Sequence, residues 1–349
     1  YIIELLYDSI EDLDASLVEG LHRGDAGHFD GSTEAFRHWD EDGEVSASCA
    51  RCHSATGLPL FLSAGVNVAE PVSNGFLCST CHDEVPGFTR YEVEAVPFPS
   101  GAELDTGNPD SNLCLNCHQG RQSSVGVERS IAGLPADAPS EGLRFLNVHY
   151  YAAGATLFGT EAKGAYEFDG KEYAGRNEHF AGYDGCTDCH STHQLEVKVE
   201  ECAACHPGTE SAEDLHAIRI SAEDFDGDGD TEEGIAGEIE TLHEALYAAM
   251  QAYSAGVSGN AIAYESHSYP YFFNDSNGNG VADPEEAVRD NAFSGWTPRL
   301  LRAAYNFQYV AKDPGAFAHN PKYIVQVLYD NLADLGTQVS VDMTGMVRP

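Results

Sequence analysis

Cysteine and histidine are spaced for chemistry in this chain. All ten cysteines fall in five Cys-x-x-Cys-His segments: Cys49, Cys52 and His53; Cys78, Cys81 and His82; Cys114, Cys117 and His118; Cys186, Cys189 and His190; Cys202, Cys205 and His206. Two thiols so placed form thioethers with porphyrin vinyl groups while the adjoining imidazole ligates the iron, which is the attachment pattern of c-type haem. With 15 histidines among 349 residues, five such coincidences arise by chance roughly once in ten million. The spacing predicts five covalently held haem c groups, with His53, His82, His118, His190 and His206 as proximal ligands.

Two other uses of cysteine fit less well. A zinc site of four cysteines, or of two cysteines and two histidines, needs no imidazole directly after every second cysteine. A disulfide framework joins cysteines distant in sequence, whereas every cysteine here has a partner three residues away.

Each proximal imidazole fills one axial position and leaves the other to be supplied. Methionine is scarce, with only Met250, Met343 and Met346, so histidine on both faces is the economical assignment. The distal candidates are His28, His38, His149, His179, His193, His319 and His267. His193 is the most constrained: three residues after His190, it cannot reach the far face of the same iron and must serve a neighbouring haem, drawing two porphyrins together. His28 and His38 precede the first segment, and His179 stands shortly before Cys186. His149 lies in the long gap between the third and fourth segments, and His319 directly precedes a helix cap. His243, beside Leu242 on an amphipathic helix, reads as a packed or surface histidine. His216 and His22 rank low, although His22, near a repeated terminus, is placed to ligate a haem of an adjacent subunit. Two imidazoles per iron give a low potential and no vacancy for substrate.

Oxygen ligands recur in two acidic loops. Asp275, Asn277, Asn279, Asp283 and Glu286 take positions 1, 3, 5, 9 and 12 of a calcium loop of EF-hand type, with Gly280 at the sharp turn. Tyr271-Phe272-Phe273 does not look like an entering helix. Asp224, Asp226, Asp228 and Asp230 alternate around Gly229, but Ile235 stands where a bidentate acid belongs. Calcium is thus an expected second cofactor.

The charge balance is extreme, with 57 Asp plus Glu against 18 Lys plus Arg and a net charge of -39. Nucleic acid and anionic membrane are repelled by such a surface, so neither is expected as a partner. No apolar run reaches the length of a membrane span. Covalent haem attachment belongs outside the cytoplasmic membrane, so the chain reads as the mature part of an exported protein, extracellular or on the cell surface, with the periplasm as alternative.

The elements that must hold these groups are short in the first part of the chain. Five flat apolar macrocycles supply much of an interior, so the expected fold is mostly irregular with α-helices, wrapped around a stacked haem chain, with a helical C-terminal region. The domains expected are a five-haem region over residues 1–210 and a haem-free, partly helical region over residues 211–349. In the latter, Ile239, Leu242, Leu246, Met250 and Tyr253 form one apolar helical face over residues 236–253. Thr297 and Pro298 start a second helix; Asn320 and Pro321 start a third that ends at Gly336. That last helix has a twin: Tyr323 to Leu335 reads YIVQVLYDNLADL, and Tyr1 to Leu13 reads YIIELLYDSIEDL. Equivalent ends allow successive copies to dock head to tail, and such contacts build open filaments unless the rotation closes them. Tandem modules within a longer precursor give the same pattern.

The five segments, together with His38-Trp39-Asp40, Asn116-Cys117-His118-Gln119-Gly120-Arg121 and the paired histidines of Cys186 to His193, resemble the multihaem c-type cytochromes of metal-respiring bacteria and archaea. Some members of that group polymerise into extracellular filaments with stacked bis-histidine haems, and in those a histidine can cross between subunits. The resemblance implies long-range electron transfer outside the cell, with other copies of the chain, other cytochromes or extracellular acceptors as partners. The enzymatic alternative is a multihaem reductase with an open iron. Pentahaem nitrite reductases carry one motif with lysine in place of histidine, whereas all five motifs here end in histidine. A monomeric or tandem-module surface cytochrome that docks on redox partners is the third reading.

Overall fold

The computed structural model describes residues 2–19, 21, 28, 30–84, 86–180 and 182–349. His22 lies outside the described residues. Helix accounts for 41% and strand for 7%, so about half of the chain runs as turns and irregular segments. The described strands form only two-stranded sheets.

Two compact units divide the chain: Tyr1–Val96, Asp105–Cys117 and His179–Glu210 make one, and Pro97–Leu104, His118–Glu178 and Ser211–Pro349 the other. Residues 118–178 thus fold with the C-terminal stretch.

In the first unit regular elements are short, because each serves to present a few side chains. The attachment segments sit on the helices Ala47–His53, Cys78–Cys81, Pro109–His118 and Cys186–Cys189, and the fifth runs off the end of Val199–Ala203. Cysteines three apart share one face of a helical turn. The second and fourth segments are built alike. Leu77 N donates to Thr80 Oγ1 at 3.0 Å and Gly185 N to Asp188 Oδ2 at 2.8 Å, so a residue inside each motif caps its own helix. After each helix the chain enters a strand at the histidine, with His82 opposite Arg90 and His190 opposite Val197. The returning strand then closes on the second cysteine: Tyr91 N donates to Cys81 O and Lys198 N to Cys189 O. Imidazole direction is thereby set by a hairpin and not by the helix alone.

The second unit is built on three helices, Ile235–Tyr253, Pro298–Ala311 and Pro321–Leu335. The expected caps form: Thr297 accepts from Leu300 N and Asn320 from Tyr323 N. Gly336 follows the last helix but keeps a right-handed backbone, φ -59° and ψ -16°. Gly336 N still donates to Leu332 O, so the chain leaves through a further turn without the left-handed stop that glycine permits.

Four tyrosines, Tyr253, Tyr305, Tyr309 and Tyr323, are fully buried in these helices. Each hydroxyl finds a partner, as burial demands. Tyr253 donates to Asp137, Tyr305 to the Gly164 carbonyl and Tyr323 to Glu167, while Thr156 donates to Tyr309. Side-chain amides do the same for backbone. Asn306 brackets Tyr166 N and O, Gln308 accepts from Val148 N, Asn320 donates to Gly175 O and Gln326 accepts from Ala174 N. Residues 118–178 belong with the C-terminal helices because those helices satisfy their irregular backbone.

The repeated helix has opposite fates. Ile324, Val325, Val327, Leu328, Leu332 and Leu335 are wholly buried, whereas in Ile2–Leu13 the equivalents Leu5, Leu6, Ile10 and Leu13 are 47, 57, 38 and 84% exposed.

Candidate haem centres

A ligating histidine needs one ring nitrogen held by an acceptor, so that the other carries the lone pair toward the metal. Three proximal candidates meet this condition with backbone carbonyls. His53 Nδ1 donates to Ala35 O at 3.0 Å, His82 Nδ1 to Phe88 O at 2.8 Å and His118 Nδ1 to Tyr151 O at 3.1 Å. Among the distal candidates, His28 Nδ1 donates to Thr192 O at 2.7 Å, His38 Nδ1 to Glu34 Oε1 at 2.7 Å and His319 Nδ1 to Asp313 Oδ1 at 2.8 Å. In each case the neutral ring keeps its lone pair on Nε2. Burial also holds the His28 pKa below the usual imidazole range, against the pull of the Thr192 carbonyl, and a neutral ring is the ligating form.

His243 is held the other way round. Its Nε2 faces Phe307 O at 2.8 Å, and its ring stacks on Phe307 with centroids 4.1 Å apart and planes 6° apart. The ring is a packing element of the Ile235–Tyr253 helix.

Two imidazole couples lie inside the first unit. The His82 and His193 rings are 6.4 Å apart between centroids, and the His179 and His206 rings 6.5 Å. Two in-line metal–nitrogen bonds of about 2 Å, with about 1.2 Å more to each ring centre, separate the centroids by about 6.4 Å. Both couples match the separation that one iron between two imidazoles requires. His193 thus faces His82, the histidine of the second segment.

Sulfurs of different segments are neighbours as well. Cys117 shares a hydrogen bond with Cys52, and Cys114 shares one with Cys186; each contact, with burial, raises the pKa of the helix Pro109–His118 thiol. That helix is anchored by its buried face. Asn112 accepts from Thr106 N and Oγ1 and donates to the Val93 and Glu94 carbonyls, while Ser111 Oγ accepts from Cys186 N.

His149 and His267 are the remaining distal candidates. His149 has φ +82°, a conformation that costs a non-glycine residue free energy and recurs at functional sites. Asn147 Oδ1 accepts from its backbone N–H. His267 is exposed, and Glu265 Oε1 accepts from its backbone N–H.

Both acidic loops take up loop geometry with several carboxylates turned inward. Asp275 Oδ1 accepts from Gly278 N and Asn279 N, its Oδ2 from Gly280 N, and Asp283 Oδ2 from the Asn277 and Asn279 amides. Glu286 Oε1 accepts from Ser276 N and Asn277 N, and its Oε2 is buried without a hydrogen-bond partner. The strand Phe272–Asn274 precedes this loop where an EF-hand has a helix. In the other loop Asp224 accepts from Gly227 N and Gly229 N, Asp226 from Asp228 N and Asp228 from Asp230 N. Two further acids reach this loop, Glu233 and Glu238. The twelve-residue calcium-loop pattern placed its bidentate acid at Ile235 and missed both.

The chain is similar to proteins already described. Residues 34–119 match the family of cytochrome c7 and related cytochrome c. The C-type polyheme cytochrome OmcB of Geobacter sulfurreducens (strain ATCC 51573 / DSM 12127 / PCA) is 27% identical over 369 residues, covering 85% of this chain and 45% of the relative. The C-type polyheme cytochrome OmcC of the same strain is 26% identical over 381 residues, covering 88% and 45%. The chain therefore spans about half the length of the curated relatives it matches. No solved structure matches it. Among the described residues no helix is long and apolar enough to cross a membrane.

Proposed function

We propose that this chain, a multihaem c-type cytochrome, is an electron carrier whose five Cys-x-x-Cys-His segments each attach one haem and whose remaining histidines close the distal faces. When bound, the haems supply one-electron redox chemistry. The residues supply attachment, axial ligation and fixed spacing. The observation that carries the reading is the pair of imidazole couples, His82 with His193 and His179 with His206, at 6.4 and 6.5 Å. His193 is accordingly assigned to the second segment and His179 to the fifth. The distal ligands of the other three haems come from among His28, His38 and His319, where an acceptor holds each Nδ1, and His149, where the backbone is strained.

Intact-mass and optical measurements test this together. The expected result is a polypeptide heavier by five haem groups, with a low-spin spectrum that carbon monoxide does not change. Fewer covalent haems, or a high-spin component in the native protein, sinks the assignment and favours a reductase.

Thioether attachment supports export and a site of action outside the cytoplasm, with other cytochromes or external acceptors as electron partners. The finer reading, head-to-tail polymerisation into a filament, is supported by the apolar face of Ile2–Leu13 being exposed where that of its sequence twin Pro321–Leu335 is buried. Electron microscopy of the haem-loaded protein tests it, and replacing Leu6 and Leu13 by serine is expected to abolish filaments. Filaments that persist in that variant, or wild-type protein that stays monomeric, count against it.

A further inference from the structure

The acidic loop before the Ile235–Tyr253 helix holds more carboxylate than its neighbours neutralise. Oxygens of Asp226, Asp228 and Glu233 lie within 4.8 Å of one another, and so do those of Asp224, Asp226 and Glu238. That spacing is about twice a calcium–oxygen bond, so one ion can touch every member of a triplet. The two triplets differ in what already satisfies them. Glu238 is fully buried, but its Oε2 accepts from Phe225 N and Asp226 N, and its Oε1 faces the Arg219 guanidinium. Glu238 is therefore a positioning residue that holds Asp226 in place.

The Asp226, Asp228 and Glu233 triplet has no such counter-charge. Asp226 is only 4% exposed, and its Oδ2 has no hydrogen-bond partner; Glu233 Oε1 is likewise buried without one. A buried carboxylate oxygen left unpaired costs free energy that a cation removes. The carboxylates of Asp226, Glu238, Asp228 and Asp230 all act on Glu233. These groups repel one another.

We propose that Asp226, Asp228 and Glu233 bind one calcium ion, with Asp224 at the edge of the site and backbone carbonyls or water completing the shell. Several carboxylates in a flexible loop suit calcium better than magnesium, which demands a tighter octahedron. The ion also holds the end of the chain. Val347 N donates to Phe225 O at 3.1 Å. Gly227, at φ +80°, passes so close that a Cβ there would meet Met346 N and Thr344 O at 2.6 Å. Fixing the loop fixes residues 344–347 behind it.

Equilibrium dialysis of the haem-loaded, chelator-treated protein against calcium chloride tests the site. Wild-type protein is expected to bind one more calcium than Asp226→Asn, or to bind that calcium roughly ten- to hundredfold more tightly. Glu233→Gln, at a less buried position, provides the same comparison should Asp226→Asn not fold. Asp275→Asn acts as control, because it disturbs only the other acidic loop and is expected to keep this ion. Calcium should also slow proteolysis of the C-terminal segment in the wild type and in the control, but not in the two site variants. Equal calcium binding by wild type, Asp226→Asn and Glu233→Gln overturns the proposal, as does protection of the C-terminus that is independent of these residues.

Discussion

The His82 and His193 imidazoles face each other with centroids 6.4 Å apart and planes 31° apart, although His82 ends the second segment and His193 follows the fourth. His193→Ala is therefore expected to convert the haem attached at Cys78 and Cys81 to a high-spin form, leaving the haem attached at Cys186 and Cys189 low-spin. Magnetic circular dichroism of the purified variant, combined with mapping of the haem peptides, checks this. An unchanged spectrum removes His193 from the ligand set.

His179 makes the parallel case with His206, at 6.5 Å. His179→Ala should produce one high-spin haem, and the double variant with His193→Ala should produce two, since separate irons respond independently. His243→Phe should produce none, because that ring bonds Phe307 O and stacks on Phe307. A high-spin signal from the His243 variant would show that ring orientation is a poor guide to ligation in this protein.

In the second unit Arg299 ties two stretches of chain to one helix. Buried to 8% exposure, it pairs with Asp137 at 2.7 Å and with Asp334. Arg299→Ala removes the cation that both partly exposed carboxylates pair with, and a loss of about 1 to 3 kcal/mol is expected. Thermal unfolding followed by circular dichroism reads this. A shift in melting temperature no larger than that of an exposed arginine substitution would refute the structural role.

The same pair predicts a pH response. Its hydrogen bond with Arg299 holds the Asp137 pKa below the ordinary value of 3.8, with a smaller contribution from Tyr253. A carboxyl depressed in the folded state contributes stability that is fully present above 3.8 and is lost as pH falls through the folded value. The stability gap between wild type and Asp137→Asn should therefore be open at neutral pH and close in strong acid. A gap that is constant across that range would mean that the charge of Asp137 is not what stabilises the fold. The side chain is one-third exposed, so solvent screens part of the effect.

The Cys-x-x-Cys-His segments were legible as candidate attachment sites because thioether chemistry is local. Cysteines three apart fall on one helical face wherever the segment lies, and the adjoining histidine follows by connectivity. The C-terminal helices were legible for a similar reason: Thr297, Pro298, Asn320 and Pro321 act on backbone groups within their own first turn. What spacing could not supply is the identity of partners far along the chain. That His193 meets His82 depends on two hairpins and their packing. That residues 118–178 join the C-terminal helices depends on Asn306, Gln308, Asn320 and Gln326 reaching irregular backbone, and nothing in an isolated amide announces its target. Glu233 and Glu238 converge on Asp226 because the loop folds back onto the helix start, a closure that a linear twelve-residue pattern does not describe. The repeated terminal helices show the limit most plainly. Nearly the same residues are buried in one setting and exposed in the other, because amphipathic pattern specifies an apolar face while only the surrounding chain specifies what covers it.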